Sequence, residues 1–321
     1  MNSPLSLSKY TNLWDRYSQV VIAYLFLVVI LIVATFLSDV FLSINNLTNV
    51  LIASMPLIIA SFAQTLCLIT TGIPDLSVGA IVSLSNVIAA TVMTTGPFGY
   101  IPGVLLALLA GGVFGLLNGI IITKGRIQPI IVTLATSAII GGVALAILPN
   151  PGGLVHPGFC QKLTGYYYGI PVPLIVLVFL TFIMWILMRK TMFGRSILAI
   201  GGNENSAYSS GIQVDKIKIL TFVLSGVLSA MAGIFLSARM YSGDPTVGEP
   251  VTLNTIAATV LGGTTLSGGK GTIIGTIAGA IIIKIINNIL NLYGITSFYQ
   301  YIFQGLILIS VLTFSFLREK E

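Results

Sequence analysis

The sequence predicts an all-α polytopic membrane protein of about ten transmembrane helices, organised as an inverted repeat. Three observations predict it. Of 321 residues, 55% are hydrophobic and only 7% charged, with a mean hydropathy of +1.01; a soluble domain carries about 25% charged residues. Apolar runs of span length recur from end to end and leave little chain for a soluble domain. The chain also repeats itself. Asp75-Leu76-Ser77-Val78-Gly79 is echoed by Asp244-Pro245-Thr246-Val247-Gly248, and the run from Asn86 to Met93 by that from Asn254 to Leu261. Gly111, Gly115, Gly119 and Lys124 are matched in spacing by Gly271, Gly275, Gly279 and Lys284. The three pairs keep the same order, at offsets of about 160–170 residues, which is the footprint of duplication within a membrane protein.

The apolar runs place spans near 20–37, 51–69, 78–93, 101–122, 130–148, 172–188, 219–237, 253–263, 272–290 and 302–317. The first is long and no small-residue cleavage site follows it, so it reads as a span rather than a signal peptide. The third and eighth are short and hold Ser, Thr and Asn. With the N-terminus inside, about twelve of the fifteen Lys and Arg residues fall on the cytosolic side, a strong positive-inside bias that places both termini in the cytosol. The net charge of +6 then reflects those loops rather than an acidic or nucleic-acid partner. Cys67 lies in an apolar run and Cys160 in a polar loop, so no disulfide framework is indicated.

This orientation gives the repeat its meaning. The first copy (about 51–148) begins at the cytosolic face with Asp75, and the second (about 219–317) at the outer face with Asp244. Spans two to five and seven to ten are thus related by inversion within one transmembrane domain spanning 1–321, with a cytosolic loop at about 189–218 between them. Inverted repeats supply two pseudo-symmetric halves that can open alternately to either side, so the expectation is a transporter.

Few residues could carry chemistry inside lipid, where a charge is costly. Asp75 follows the break at Gly72-Ile73-Pro74; its plain role is to cap the third span through the N–H of Ser77 or Val78. Lys284 falls within a span, and its place in the repeat predicts an outer-face residue that snorkels. The glycine series predict close helix packing. Polar groups in spans must find partners, so Asp75, Ser77, Asn86, Asn118, Asn254, Thr255 and Asn287 are candidates for a polar solute path, with neighbouring-helix bonding as the alternative for each.

Two nucleotide-like motifs fail inspection. Gly269-Lys270-Gly271 has Gly271 where a P-loop needs Ser or Thr. Leu266-Ser267-Gly268-Gly269 lies between spans with no nucleotide-binding domain around it. No cofactor is expected on this chain. His156, the only histidine, makes no metal site alone, and Tyr166-Tyr167-Tyr168 reads as an interfacial anchor. In the cytosolic loop, 203–210 predicts a short helix capped by Asn203 and closed by Gly211, a shape suited to docking in a partner's groove.

Three stretches together resemble the ribose-type permease family of bacterial ATP-binding-cassette importers, over about residues 45–316. They are Gly72-x-x-Asp75-Leu76-Ser77-Val78-Gly79; Gly194-Arg195…Gly201-Gly202-Asn203…Ala207…Ser210-Gly211-Ile212; and Ile256-Ala257-Ala258-x-Val260-Leu261-Gly262-Gly263-Thr264-x-Leu266-x-Gly268-Gly269-Lys270-Gly271. The resemblance implies a multi-pass permease of the bacterial cytoplasmic membrane that imports a small sugar beside a second copy or paralogue. It implies a cytosolic ATPase with two cassettes, which binds the ATP and Mg, and an extracytoplasmic solute-binding protein. It makes 203–211 the coupling segment, with Gly194, Arg195, Asn203, Glu204, Ala207 and Gly211 as the ATPase-coupling residues. The chain departs from the family's pattern at Ile73-Pro74, at Asn254 and at Tyr208. The rival reading is an ion-coupled secondary transporter, which would need buried carboxylates or cation-coordinating broken helices; an enzyme would need a His/Asp/Glu constellation that the sequence lacks.

Overall fold

The computed structural model describes residues 7–93, 99–296, 299–306, 309–310 and 313. Its elements in order are α1 (Leu7–Leu37), α2 (Ile44–Thr71), α3 (Val78–Val92), α4 (Tyr100–Lys124), α5 (Pro129–Ile147), α6 (Pro157–Thr164), a hairpin of β1 (Tyr166–Tyr167) and β2 (Ile170–Pro171), α7 (Val172–Lys190), α8 (Met192–Gly202), α9 (Glu204–Ser209), α10 (Val214–Met240), α11 (Glu249–Leu261) and α12 (Ile273–Leu292). Residues 299–306 are again helical.

Among the described residues, seven helices are long and apolar enough to cross a membrane: α1, α2, α4, α5, α7, α10 and α12. The expected count of about ten is therefore met only in part. The third and eighth runs form helices of 15 and 13 residues, about 20 Å each at 1.5 Å per residue against a hydrocarbon thickness of roughly 30 Å. Each follows a Pro- and Gly-containing break, at Gly72–Pro74 and at Pro245–Gly248. Much of the tenth run, 302–317, lies outside the described residues.

Burial separates centre from rim. The apolar windows of α2 and α10 are 89% and 61% buried, against 17% for α1 and 22% for α7. Most of α3 and α11 is buried too, so their Ser, Thr and Asn residues face protein rather than lipid. Rim helices show apolar side chains outward, such as Leu109, Leu134 and Phe179.

Small residues let the central backbones touch. Gly111, Gly115 and Gly119 of α4 lie against Gly226, Phe222 and Ile219 of α10. The matching Gly275 and Gly279 of α12 close instead on Ala258 of α11 and on Gly262, which caps it. Four-residue spacing makes a small face on a helix, but tertiary arrangement decides which neighbour fills it.

Candidate functional site

The repeated aspartate motifs fold alike. Asp75 Oδ1 accepts from the Ser77 N–H at 2.9 Å and from Ser77 Oγ at 2.6 Å. Asp244 Oδ1 accepts from the Thr246 N–H and from Thr246 Oγ1, both at 2.8 Å. Each turn delivers a glycine, and Gly79 and Gly248 abut backbone to backbone. The Gly79 N–H donates to Thr252 Oγ1 at 3.1 Å, and the Gly248 N–H donates to Ser83 Oγ at 2.9 Å. Ser83 and Thr252 each stand one helical turn beyond their own glycine, so the two motifs grip one another reciprocally.

Around the first motif the candidates Asp75, Ser77 and Asn118 form one sealed cluster. Asp75 is 1% exposed, and its Oδ2 accepts from Ser225 Oγ at 2.9 Å. Asn118 Nδ2 donates to Ser77 Oγ at 2.9 Å. Gln64 clasps the Asp75 backbone, donating to its carbonyl and accepting from its N–H, both at 3.1 Å, in the amide orientation that satisfies both groups. The expected bond to the Ser77 N–H is present, although the helix proper starts at Val78. Asn86 is also used internally: its Oδ1 accepts from the Asp244 N–H at 2.7 Å, and its Nδ2 reaches the Gly233 carbonyl at 3.5 Å. Thr255 is buried, donating to the Thr252 carbonyl at 2.7 Å. Asp75, Ser77, Asn118 and Asn86 thus tie separate segments together, whereas Thr255 bonds within α11.

Asn254 and Asn287 have a different setting. They line a cavity of about 400 Å³ with Asn49, Arg239, Lys284, Asn288, Asn291, Gln300, Tyr301 and Gln304. Part of this polar wall is internally fixed: Gln300 Nε2 donates to Asn291 Oδ1 at 2.7 Å, and Asn46 and Asn288 exchange bonds of 3.1 and 2.9 Å. Asn254 is 7% exposed and its amide has no partner among the described residues. Lys284 and Arg239 likewise face the cavity without an ion pair among the described residues, and no Asp or Glu lines it. Free amide and ammonium donors in a concave, half-open site are suited to hydroxyl-rich ligands.

The segment between α7 and α10 holds α8, for which the sequence carries no separate expectation, and the expected short helix. Asn203 Oδ1 accepts from the Ser206 N–H at 2.9 Å, and Gly211 closes the turn at φ +81°. Glu204 pairs with Lys218 at 2.7 Å. Ala207 turns inward, 4% exposed, against Ile200 and Val214, whereas Tyr208 is 75% exposed. Gly194 is buried against the carbonyls of Leu187 and Met188, while Arg195 is exposed with its guanidinium 3.1 Å from the Met192 sulfur. A second cavity, of about 350 Å³, lies between the ends of α2 and α8 and the start of α9, lined by Thr70, Thr71, Gly201, Gly202 and Asn203 among others.

Helices of membrane-spanning length around a buried polar interior and a solute-sized cavity define a multi-pass membrane permease. The chain belongs to a family of such permeases: residues 46–312 match the family described as "Branched-chain amino acid transport system / permease component". It is a transport subunit and not an enzyme. It is similar to the ribose import permease protein of Bacillus subtilis, at 42% identity over 93% of this chain and 94% of that one. Two Escherichia coli proteins are also similar: the L-arabinose transport system permease protein, at 37% over 99% and 95% of the two chains, and the D-allose transport system permease protein, at 33% over 96% and 93%. No solved structure matches the chain.

Proposed function

We propose that this chain is the permease subunit of an ATP-binding-cassette importer for a small sugar or related polyol in the bacterial cytoplasmic membrane. A cytosolic ATPase with two cassettes binds the ATP and Mg, an extracytoplasmic protein delivers the solute, and a second permease copy or paralogue completes the channel. The observation that carries the solute class is the cavity. The unpartnered Asn254 amide and the Lys284 ammonium offer donors to hydroxyls, amides outnumber the aliphatic Val50, Ala53 and Pro250 in the wall, and among the described residues lining it there is no carboxylate to pair with an amino acid's ammonium. The names of the similar permeases, for ribose, arabinose and allose, support the same class.

The ten-span inverted repeat belongs to this proposal, as one transmembrane domain with both termini in the cytosol. Support comes from the reciprocal bonds at Gly79 and Gly248, which a local two-fold relation between the repeats produces, and from the positive-inside distribution of Lys and Arg. In this reading α3 and α11 are half-length helices held at mid-depth by protein, and the last span begins at 299–306. Segment 203–211 is the coupling segment: Glu204 and Tyr208 present the docking face, Asn203 and Gly211 shape the helix, Ala207 and Gly194 seat it on the permease, and the exposed Arg195 of α8 adds a cation to the same segment. The sealed setting of Asp75, Ser77, Asn118 and Asn86 makes them the framework of the path, with Asn254, Asn287 and Lys284 at its outer vestibule. The test is uptake in vesicles carrying the permease, its ATPase and its binding protein. Accumulation of labelled ribose, arabinose or allose should require Asn254 and Lys284 and should stop when the cassettes are inactivated.

A further inference from the structure

Three backbone segments from distant parts of the chain meet next to the coupling segment. They are the C-terminal turn of α2, ending at Gly72; the end of α8 at Gly201-Gly202; and the loop 265–270 ahead of α12. The Gly269 N–H donates to the Ile69 carbonyl at 2.9 Å, and Thr265 pins the loop through Oγ1 to the Gly268 carbonyl at 3.0 Å. Gly72, Gly268 and Gly269 have φ of +68°, +83° and +71°, where a side chain is strained.

The contacts are backbone on backbone. A methyl at Gly201 would overlap the Ile69 carbonyl and stand 3.0 Å from Gly269 Cα. One at Gly268 would stand 3.0 Å from the Gly201 carbonyl oxygen and 3.2 Å from the Gly72 nitrogen, and one at Gly72 would stand 2.9 Å from the Leu266 carbonyl. The nearest atoms to a methyl at Gly201, Gly268 or Gly72 are all backbone, so no rotamer change relieves these contacts. Movement of one backbone therefore passes to the others, since close-packed contacts shift rather than compress. Gly202, the next residue, is the exception: a methyl there meets nothing within 4 Å.

We propose that this glycine junction is the joint that carries motion from the coupling segment into both repeats, with Gly201 as its positioning residue; the inference rests on the importer reading above. Displacing α9 moves Gly201. Gly201 bears on the end of α2, just ahead of the Asp75 turn and α3. It bears equally on Gly268–Gly269, which lead to Thr272, the residue whose Oγ1 accepts from the Gly275 N–H at 3.0 Å and caps α12. α12 carries Lys284 and Asn287 into the outer cavity. One cytosolic push thus reaches the start of the first repeat's short helix and the cavity wall of the second repeat together.

The test uses the complete importer in lipid vesicles, with a cysteine reporter at Gln300 on the cavity wall and the buried Cys67 and Cys160 replaced by Ser. Maleimide labelling of the reporter is measured without nucleotide and after vanadate trapping with MgATP, alongside ATPase co-purification and basal ATP hydrolysis. The unmodified junction should give a labelling rate that changes on trapping. Gly201→Ala should keep assembly and basal hydrolysis while the ratio of trapped to free labelling rates falls to unity; Gly202→Ala should keep the full change. If Gly201→Ala does not assemble, Gly268→Ala carries the same expectation, because its methyl would crowd the Gly201 carbonyl, at 3.0 Å, from the loop side of the same junction. A full nucleotide response in the assembled Gly201→Ala or Gly268→Ala complex, or equal loss in Gly202→Ala, overturns the joint. An unmodified complex that assembles no ATPase, or shows no response to nucleotide, overturns the importer reading itself and leaves the joint nothing to transmit.

Discussion

Gly79→Ala tests the reciprocal contact at the middle of the fold. The added methyl would lie deep within contact distance of the Gly248 carbonyl and of Thr252 Oγ1, so α3 and the turn leading into α11 must part by roughly 1 Å to reach ordinary contact. Overpacking of this kind costs about 1–3 kcal/mol. Parting also weakens the bonds from Gly79 to Thr252 and from Gly248 to Ser83, at about 0.5–1.5 kcal/mol each. Alanine returns up to about 1 kcal/mol in helix propensity, leaving a net loss of about 1–5 kcal/mol. Gly141 of α5, where a methyl meets nothing within 4 Å, is the control. The assay is the midpoint of thermal aggregation of the purified permease in detergent. It should fall by several degrees for Gly79→Ala and hold or rise for Gly141→Ala. Equal midpoints for wild type and Gly79→Ala would show that these backbones do not touch, and would remove the structural support for the two-fold relation.

Lys284→Met should lower the rate of sugar uptake at saturating loaded binding protein roughly ten-fold or more and Asn254→Ala roughly two- to ten-fold, since a hydrogen bond contributes about 1.5–3 kcal/mol to a charged group and about 0.5–1.5 kcal/mol to a neutral one; unchanged transport in both places the path elsewhere. Tyr208→Ala should leave the permease's thermal midpoint unchanged and lower ATPase co-purification, whereas Ala207→Trp should destabilise the permease itself, because Ala207 is packed against Ile200 and Val214; the reverse pattern would put Ala207 on the docking face. Burial pushes the Cys160 thiol above its ordinary pKa, so it should react with maleimide far more slowly at neutral pH than a free thiol, and rapid labelling in the folded protein would contradict its setting in α6.

Much of this architecture was legible because lipid imposes long apolar runs, and most described runs became helices with ends shifted by a few residues. The matched Asp75 and Asp244 motifs were readable as a repeat, and they fold into matching turns. What sequence reading missed is tertiary. The third and eighth runs read as spans in sequence, whereas the breaks at Pro74 and before Glu249 leave helices of 15 and 13 residues, whose place is set by the protein packed around them. The cavity that Lys284 lines is assembled from α2, α10, α11, α12 and the following helix, and no local pattern reports that meeting. Gln64 and Ser225 hold Asp75 from distant positions and carry no motif of their own. Ser83 and Thr252 could have been found: each lies four residues beyond its motif glycine in both copies, a hydroxyl match that the repeat comparison passed over. The inward turn of Ala207 follows from Val214 packing beneath it, on the helix after the closing glycine.

The claim that this permease works for a partner's ATP is tested most directly by the energy source of uptake. In vesicles holding the permease, its ATPase and the sugar-loaded binding protein, with sodium and proton gradients collapsed, labelled sugar should accumulate on addition of internal MgATP. Accumulation should disappear with a cassette variant unable to hydrolyse ATP. Accumulation by the permease alone on an imposed sodium or proton gradient, without ATP, would contradict the account and make it an ion-coupled transporter.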